Sequence, residues 1–190
     1  MNIGLYFGSF NPVHTGHLII ANCVLNETDL ERIWFVVSPQ NPFKDDQALL
    51  QARKRLTLVK KSVMADERFL ASDVEFHLSK PSFTIHTLRH LKSVYLEDMF
   101  SVIMGSDSFQ AIDRWKDFQS IISDYKIFIF RRQGFEVDNN IGADIEILGG
   151  PLIDISSTEI RELIKKGKSI RYLVPEKVRK EIEIKEYYKK

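Results

Sequence analysis

Cysteine is almost absent from this sequence of 190 residues. Cys23 is the only one, so the chain forms no internal disulfide and has no cysteine-cluster metal site. Because Cys23 lies in an apolar stretch of helical period, we expect a buried, inert thiol. So little cysteine is typical of a reducing compartment, and the expected location is cytoplasmic.

Long apolar runs and an excess of charge of one sign are lacking too. No run approaches the ~18 residues of a membrane span, and no basic segment precedes the first strand-like run, so we expect neither a membrane segment nor an export signal. The formal net charge is +1. Such a balance favours neither a nucleic-acid nor a membrane partner, and it is compatible with a homo-oligomer.

Short β-branched and aromatic runs alternate with segments of helical period. The predicted strands are Ile3–Phe7, Ile33–Val37, Phe69–Phe76, Phe100–Met104, Ile127–Phe130 and Ile145–Leu148. One helical segment has Ala52, Leu56, Val59 and Val63 on one face and Arg53, Arg55, Lys60 and Lys61 elsewhere, and a second aligns Thr84, Leu88, Leu91 and Tyr95. Parallel strands need crossover helices, so we expect an α/β fold. This is a single Rossmann-like, doubly wound domain over 1–190, mainly parallel, with helices on both faces and a tail helix at about 174–190.

Unusual residues follow each predicted strand. In chain order the loops read GSFNPVHTGH, SPQNPFK, KPSFTIHT, GSDSF, RRQG and GGPLIDISST. Since the carboxyl ends of parallel strands share one edge of a sheet, we expect these loops to face one cleft. Loops also need turn residues for structural reasons, so only the chemistry of each loop distinguishes a ligand-binding role from a structural one.

The first loop lacks the glycine patterns of common nucleotide folds. It has no G-x-G-x-x-G, and no P-loop motif occurs anywhere in the chain. Gly8 followed by a helix start near His17 nevertheless directs backbone N–H groups toward an anion such as phosphate. His14 and His17 lie about one helical turn apart, so both are candidates to contact it.

Two other interpretations of the histidine pair stay open. One histidine can cap the helix while the other packs against it. Zinc is a second alternative, but no third ligand is evident, because His77, His86 and His90 lie elsewhere without the spacing of a metal site.

The segment ISSTEIR near the other end of the chain has features of a helix start. Ser156 and Glu159 have the spacing of a capping box, and Gly167 is placed to end the helix. Three further residues are not required by helix geometry: Ser157, Thr158 and Arg161. Hydroxyls and a guanidinium at a helix N-terminus suit phosphate oxygens. Two such helix starts on one rim predict a polyphosphate between them.

These two stretches resemble the HxGH and ISSTxIR signatures of the nucleotidyltransferase superfamily. Within it, the chain is similar over nearly its whole length to the bacterial nicotinate mononucleotide adenylyltransferases. The middle of the chain shares Ser82-Phe83-Thr84 before Thr87-Leu88, Gly105-Ser106-Asp107, and Trp115. The resemblance implies that the adenylyl group of ATP passes to nicotinate mononucleotide, giving nicotinate adenine dinucleotide and pyrophosphate in NAD biosynthesis. It also implies Mg²⁺ held mainly by substrate phosphates, with no metal site of the protein's own.

The resemblance further implies roles for the matched residues. His17 is expected to be the main catalytic residue, with His14 as the second. The expected contacts to ATP are Gly8, Ser9, Phe10, His14, His17, Gly105, Asp107, Ser157, Thr158 and Arg161. The expected contacts to the mononucleotide are Asn41, Lys44, Thr84, Trp115 and Arg132. Structural alternatives exist for four of these: an N-cap for Asp107, a core position for Trp115, a first-turn residue for Thr84 and a solvated side chain for Lys44.

The chain also departs from the family pattern, which leaves alternatives for the mononucleotide contacts. Phe43 replaces a frequent histidine, His86 stands where aspartate is common, and Gln133 replaces a frequent proline. The competing functions are a related transferase that uses phosphopantetheine, nicotinamide mononucleotide or a cytidylyl donor, and a nucleotide-binding module without activity. A class I tRNA synthetase fragment is a third, although the chain lacks a KMSKS-like stretch.

Overall fold

The computed structural model describes residues 1–40 and 49–189. Its centre is a six-stranded sheet in the order β3-β2-β1-β4-β5-β6, and every neighbouring pair is parallel. The strands are β1 (Asn2–Gly8), β2 (Arg32–Val37), β3 (Phe69–Ser72), β4 (Met99–Gly105), β5 (Ile127–Phe130) and β6 (Ile145–Leu148). The helices are α1 (Thr15–Glu27), α2 (Ala52–Val63), α3 (Thr84–Val94), α4 (Ser106–Phe109), α5 (Phe118–Asp124), α6 (Ser157–Lys165) and α7 (Glu176–Ile184), with 3₁₀ turns at Val74–His77 and Ile112–Arg114.

Helices cover both faces of the sheet, as the alternation of strands and helices predicts. Successive side chains of a strand point to opposite faces. Phe35 of β2 lies in an apolar cluster with residues of α1, α2, α6 and α7, whereas Trp34 lies in a second cluster with residues of α3 and α5. Both clusters are buried, so the central strands are apolar throughout. The predicted doubly wound α/β fold is confirmed.

The tail helix forms at α7 and packs on the first cluster. Val178 and Ile182 are buried there, and the Glu181 carboxylate forms an ion pair with Lys61 of α2 at 2.9 Å. Because α7 shares a core with the central strands, we propose that residues 1–190 fold as one domain.

The third strand is shorter than the sequence predicts. The expected strand runs over Phe69–Phe76, but β3 ends at Ser72 and a 3₁₀ turn follows. The backbone N–H of Phe76 donates to the carbonyl of Asp73 at 2.9 Å, which closes that turn. Glu75 lies in this turn, and its side chain is buried.

Two expectations concern apolar segments. Cys23 is half-buried on α1 rather than fully buried, and its partial burial raises the pKa of the thiol.

Among the helices of the described residues, none combines the length and the apolar character that crossing a membrane requires.

The strand order places a crevice between β1 and β4. After β1 the chain crosses toward β2, and after β4 it crosses toward β5, so the two loops diverge from neighbouring strands. In open α/β sheets, ligands bind outside the carboxyl ends of the strands at this point. Gly8 ends β1 and Gly105 ends β4, so the loop residues after these two glycines border the expected site.

Candidate functional site

A cavity of about 450 Å³ opens at the carboxyl ends of the strands. It is lined by residues that follow β1, β2, β4 and β5, by the segment before α3 and by the start of α6. The predicted site residues that line it are Gly8, Ser9, Phe10, His17, Thr84, Gly105, Asp107, Trp115, Arg132, Ser157, Thr158 and Arg161. Loops far apart in the sequence therefore meet around one cavity, as the parallel sheet predicts.

Three predicted site residues fall elsewhere. Asn41 and Lys44 lie outside the described residues, as does Phe43. His14 borders a smaller recess behind the cavity, which shares His17 and Arg132 with it.

The two histidines are stacked at the start of α1. The helix begins at Thr15 with His14 as its extended N-cap, and the ring centroids of His14 and His17 lie 3.7 Å apart. The backbone N–H of His14 donates to Nδ1 of His17 at 3.2 Å. An Nδ1 that accepts a hydrogen bond is unprotonated, so the ring proton of neutral His17 is on Nε2. The hydrogen-bond donor of the His17 ring is therefore Nε2–H.

His14 has a different environment. Its residue is only 6% exposed, and burial together with the charge of Arg132 lowers the pKa of its imidazole to about 4. At neutral pH the ring is therefore uncharged and adds no charge beside His17.

Gly16 lets the histidine pair adopt this arrangement. A Cβ at position 16 would lie 2.7 Å from Cγ2 of Ile153 and 3.0 Å from Nδ1 of His14. Any larger residue would push His14 away from the helix start. The glycine of the HxGH pattern is thus explained by packing.

The start of α6 is joined to the first loop by hydrogen bonds. The Ser157 hydroxyl donates to the carbonyl of Pro12 at 2.8 Å, and the Arg161 guanidinium donates to the carbonyl of Asn11 at 2.8 Å and to the Thr158 hydroxyl at 3.2 Å. The contacts to Pro12 and Asn11 span 145 and 150 residues of sequence and bring the two signature segments to one rim.

Helix capping explains Ser156, as its spacing predicts. Its hydroxyl accepts a hydrogen bond from the backbone N–H of Glu159 at 3.1 Å. Ser156 does not line the cavity, whereas Ser157 does. Neighbouring serines therefore separate into a capping residue and a cavity residue.

The floor of the cavity carries an ion pair. Asp107 Oδ1 lies 3.2 Å from Arg132 Nε. A Cβ on Gly105 would come within 2.9 Å of that nitrogen and would also clash with the Asp107 carboxylate. The alternative of Asp107 as an N-cap is wrong, because Gly105 occupies that position and α4 begins at Ser106.

Aromatic side chains also line the cavity. Phe83 and Trp115 both border it, next to Thr84, the first residue of α3. Trp115 also packs against the second apolar cluster, so it is both a partly buried packing residue and a residue of the cavity wall. His86 does not line the cavity, and its ring centroid lies 5.5 Å from that of Phe83.

Glu75 is a cavity residue that sequence reasoning missed. It is 2% exposed, and Oε1 accepts a hydrogen bond from the Thr87 hydroxyl at 3.0 Å. Burial raises the pKa of the carboxyl, against the opposite effect of the nearby Ser38, Thr87 and Ser82 hydroxyls. A signal was present, since Glu75 is a charged residue inside a run predicted to be strand.

Arg55 is a second missed residue. The helical pattern of α2 predicts that Arg55 lies away from the apolar face, yet the residue is only 1% exposed. Its guanidinium donates hydrogen bonds to four backbone carbonyls, those of Ser9, Ser38, Pro39 and Leu50. A buried cation thus fixes the chain that leaves β1 and β2 at the edge of the cavity.

The charges around the cavity suit an anion. Arg132, Arg161 and Lys116 border it, against the carboxyls of Asp107 and Glu75. Across residues 1–40 and 49–189, no group of three His, Cys, Asp or Glu side chains is placed to hold a metal ion. A polyanion between helix starts and guanidinium groups is the ligand class that this arrangement favours.

Comparison with known proteins agrees with this chemistry. The profile of the family described as cytidylyltransferase-like matches residues 5–163. A “Probable nicotinate-nucleotide adenylyltransferase” of Cytophaga hutchinsonii is 41% identical, over 99% of this chain and 98% of the relative. One of the same name from Bacteroides fragilis is 43% identical over 94% and 90%. The structure is also similar to the nicotinic acid mononucleotide adenylyltransferase of Plasmodium falciparum, with a TM-score of 0.82, 21% identity and coverage of 98% and 96%.

Proposed function

The chain belongs to the cytidylyltransferase-like family and, within it, to the nicotinate-nucleotide adenylyltransferases, and from this premise we propose how its cavity works. It transfers the adenylyl group of ATP to nicotinate mononucleotide, giving nicotinate adenine dinucleotide and pyrophosphate, a step in NAD biosynthesis. The observation that carries the proposal is the meeting of His17, Ser157 and Arg161 at one rim, with Phe83 and Trp115 in the same cavity.

The reaction needs no nucleophile from the protein. The phosphate of the mononucleotide attacks the α-phosphorus of ATP in line, a new P–O bond forms, and the α–β anhydride bond breaks as pyrophosphate leaves. Because the attacking phosphate is anionic at neutral pH, a strong general base is unnecessary. Catalysis then comes from alignment of the reactants and from stabilisation of charge on the phosphoryl oxygens.

His17 supplies a donor to the α-phosphate. Its Nδ1 accepts the backbone N–H of His14, so the Nε2–H is the group that stabilises developing charge. His14, neutral and stacked on His17, holds that ring in place and contacts the phosphate chain only secondarily.

The remaining contacts are proposed from the resemblance to the family. The start of α6 holds the β- and γ-phosphates through Ser157, Thr158 and Arg161. The backbone of Gly8, Ser9 and Phe10 lies against the nucleotides, and Gly105 and Asp107 contact the adenosine. The mononucleotide residues are Thr84, Trp115, Arg132, Asn41 and Lys44, and Trp115 stacks on the pyridine ring.

A divalent cation enters with ATP. Because the described residues offer no cluster of carboxylates for a cation, we propose that Mg²⁺ is held by phosphate oxygens and water. Bound there, it would neutralise phosphate charge, while Arg161 and the backbone N–H groups of α6 orient the polyphosphate. The single cysteine favours a reducing cytoplasmic setting for this reaction.

A pair of neighbouring serines tests the role of the α6 start. Ser157→Ala removes a cavity hydroxyl, so we expect the KM for ATP to rise about tenfold. Ser156→Ala removes only the helix cap, which lowers the free energy of unfolding by about 1 kcal/mol and leaves the KM unchanged. Steady-state kinetics and thermal melts of both variants check this. Equal KM values for the two variants would remove Ser157 from the ATP site.

The substrate assignment is tested with a panel of acceptors. Pyrophosphate release is measured with ATP and, in turn, nicotinate mononucleotide, nicotinamide mononucleotide and phosphopantetheine. We expect the highest kcat/KM with nicotinate mononucleotide. A preference for the amide or for phosphopantetheine would overturn the acceptor, and ATP binding without any pyrophosphate release would favour a non-catalytic module.

A further inference from the structure

One cation that lines the cavity was not singled out by sequence reasoning. Lys116 follows Trp115 directly and lines the cavity beside Phe83. Its ammonium lies 4.6 Å from the centroid of the Phe83 ring, within the range of a cation–π contact. The charge is therefore held beside an aromatic side chain that lines the cavity.

The charge of Lys116 is not balanced by a neighbour. Within residues 1–40 and 49–189, no carboxylate oxygen lies within 4 Å of its ammonium. The adjacent carboxylate, Asp117, is bound instead by Arg89 at 2.5 Å and by the Ser120 hydroxyl at 3.0 Å. Among the residues that the structure describes, Lys116 therefore presents a positive charge without a carboxylate partner at the cavity.

The other charged groups of the cavity do not take this role. Arg132 is engaged by Asp107 at the cavity floor, and Arg161 by the first loop. Glu75 also borders the cavity, and burial favours its protonated form. Lys116 is thus the cation with an uncommitted charge beside the aromatic residues.

We propose that Lys116 is a specificity-determining residue that favours a mononucleotide with a carboxylate on its ring over one with a neutral amide. The inference rests on the proposed function, in which a pyridine ring stacks at Trp115. An ammonium near Phe83 attracts a ring carboxylate but gains nothing comparable from an amide of the same shape. For an exposed pair, this attraction changes the preference about three- to tenfold.

The test is the effect of Lys116→Met on two acceptors. This change keeps much of the apolar stem and removes the charge. We expect kcat/KM with nicotinate mononucleotide to fall about three- to tenfold through KM, while the value with nicotinamide mononucleotide stays the same. Lys116→Arg should keep the wild-type ratio. An equal fall with both acceptors, or no fall with either, would overturn the proposal.

Lys92 provides a matched control. Its ammonium lies 6.0 Å from the ring centroid of Tyr125, but it does not line the cavity. Lys92→Met should leave the acid-to-amide ratio unchanged, and a change equal to that of Lys116→Met would attribute the effect to net charge alone. If wild-type protein releases no pyrophosphate with nicotinate mononucleotide, the proposed function fails and this inference with it. If wild-type protein is active and the ratio does not respond to position 116, only the role of Lys116 fails.

Discussion

His17→Ala is expected to lower kcat about 10²- to 10³-fold. The variant loses the Nε2–H that we place on the α-phosphate, and removal of one such donor has this effect in comparable sites. Steady-state pyrophosphate release with ATP and nicotinate mononucleotide measures it. The same variant loses the acceptor for the backbone N–H of His14, so we expect a stability loss of about 1 kcal/mol as well.

A second variant separates the two effects. His17→Asn retains an oxygen that can accept the His14 N–H but has no group that reaches as far as Nε2, so it should be nearly as inactive and more stable than His17→Ala. His90→Ala is the control, because His90 is exposed on α3 and does not line the cavity. Activity of both His17 variants within about threefold of wild type would exclude His17 from the mechanism.

Arg55→Met is expected to cost about 3 kcal/mol of stability or more. The substitution removes the donors for the carbonyls of Ser9, Ser38, Pro39 and Leu50, and buried polar groups left without partners are costly. For a chain of this size, we expect the melting temperature to fall by about 10 °C. Since the same carbonyls fix the edge of the cavity, kcat/KM at a permissive temperature should fall too.

The matched control for Arg55 is on the same helix. Arg53 is exposed, so Arg53→Met should change the melting temperature by little more than 1 °C. Chemical denaturation of both variants gives the free energies of unfolding directly. Similar values for the two would show that the buried hydrogen bonds of Arg55 contribute nothing net.

The positions of the strands along the chain were largely predictable. Ile127–Phe130 and Ile145–Leu148 have the bounds that the apolar runs predict, because buried parallel strands need side chains that pack on both faces. The exception is the end of β3, where the predicted strand continues through Phe76 but the backbone turns at Asp73. Hydropathy alone does not distinguish a short strand plus a 3₁₀ turn from one longer strand.

The meeting of loops around the cavity was predictable from topology. Once the strands are parallel, the residues after Gly8 and Gly105 must lie at one edge. What topology does not specify is which histidine of the pair faces the cavity. His14 and His17 have equivalent spacing in the sequence, and only the helix start at Thr15 and the packing of Gly16 separate them.

The buried charges were not predictable. Arg55 reads as a solvent-facing residue of an amphipathic helix, since its burial depends on carbonyls contributed by three other stretches of chain. Glu75 likewise depends on the hydroxyl of Thr87, which a different segment contributes. Tertiary partners of this kind leave no periodic signal, and the only local sign was a charged residue, Glu75, inside a run predicted to be strand.

The most direct test of the account follows each phosphorus of ATP. Two reactions with nicotinate mononucleotide are compared, one with label at the α-phosphorus and one with label at the γ-phosphorus, and the products are separated. Adenylyl transfer predicts that the α label appears in nicotinate adenine dinucleotide and the γ label in pyrophosphate, in equal amounts. Transfer of the γ label to the mononucleotide, or release of the α label as free AMP without dinucleotide, would contradict the central claim.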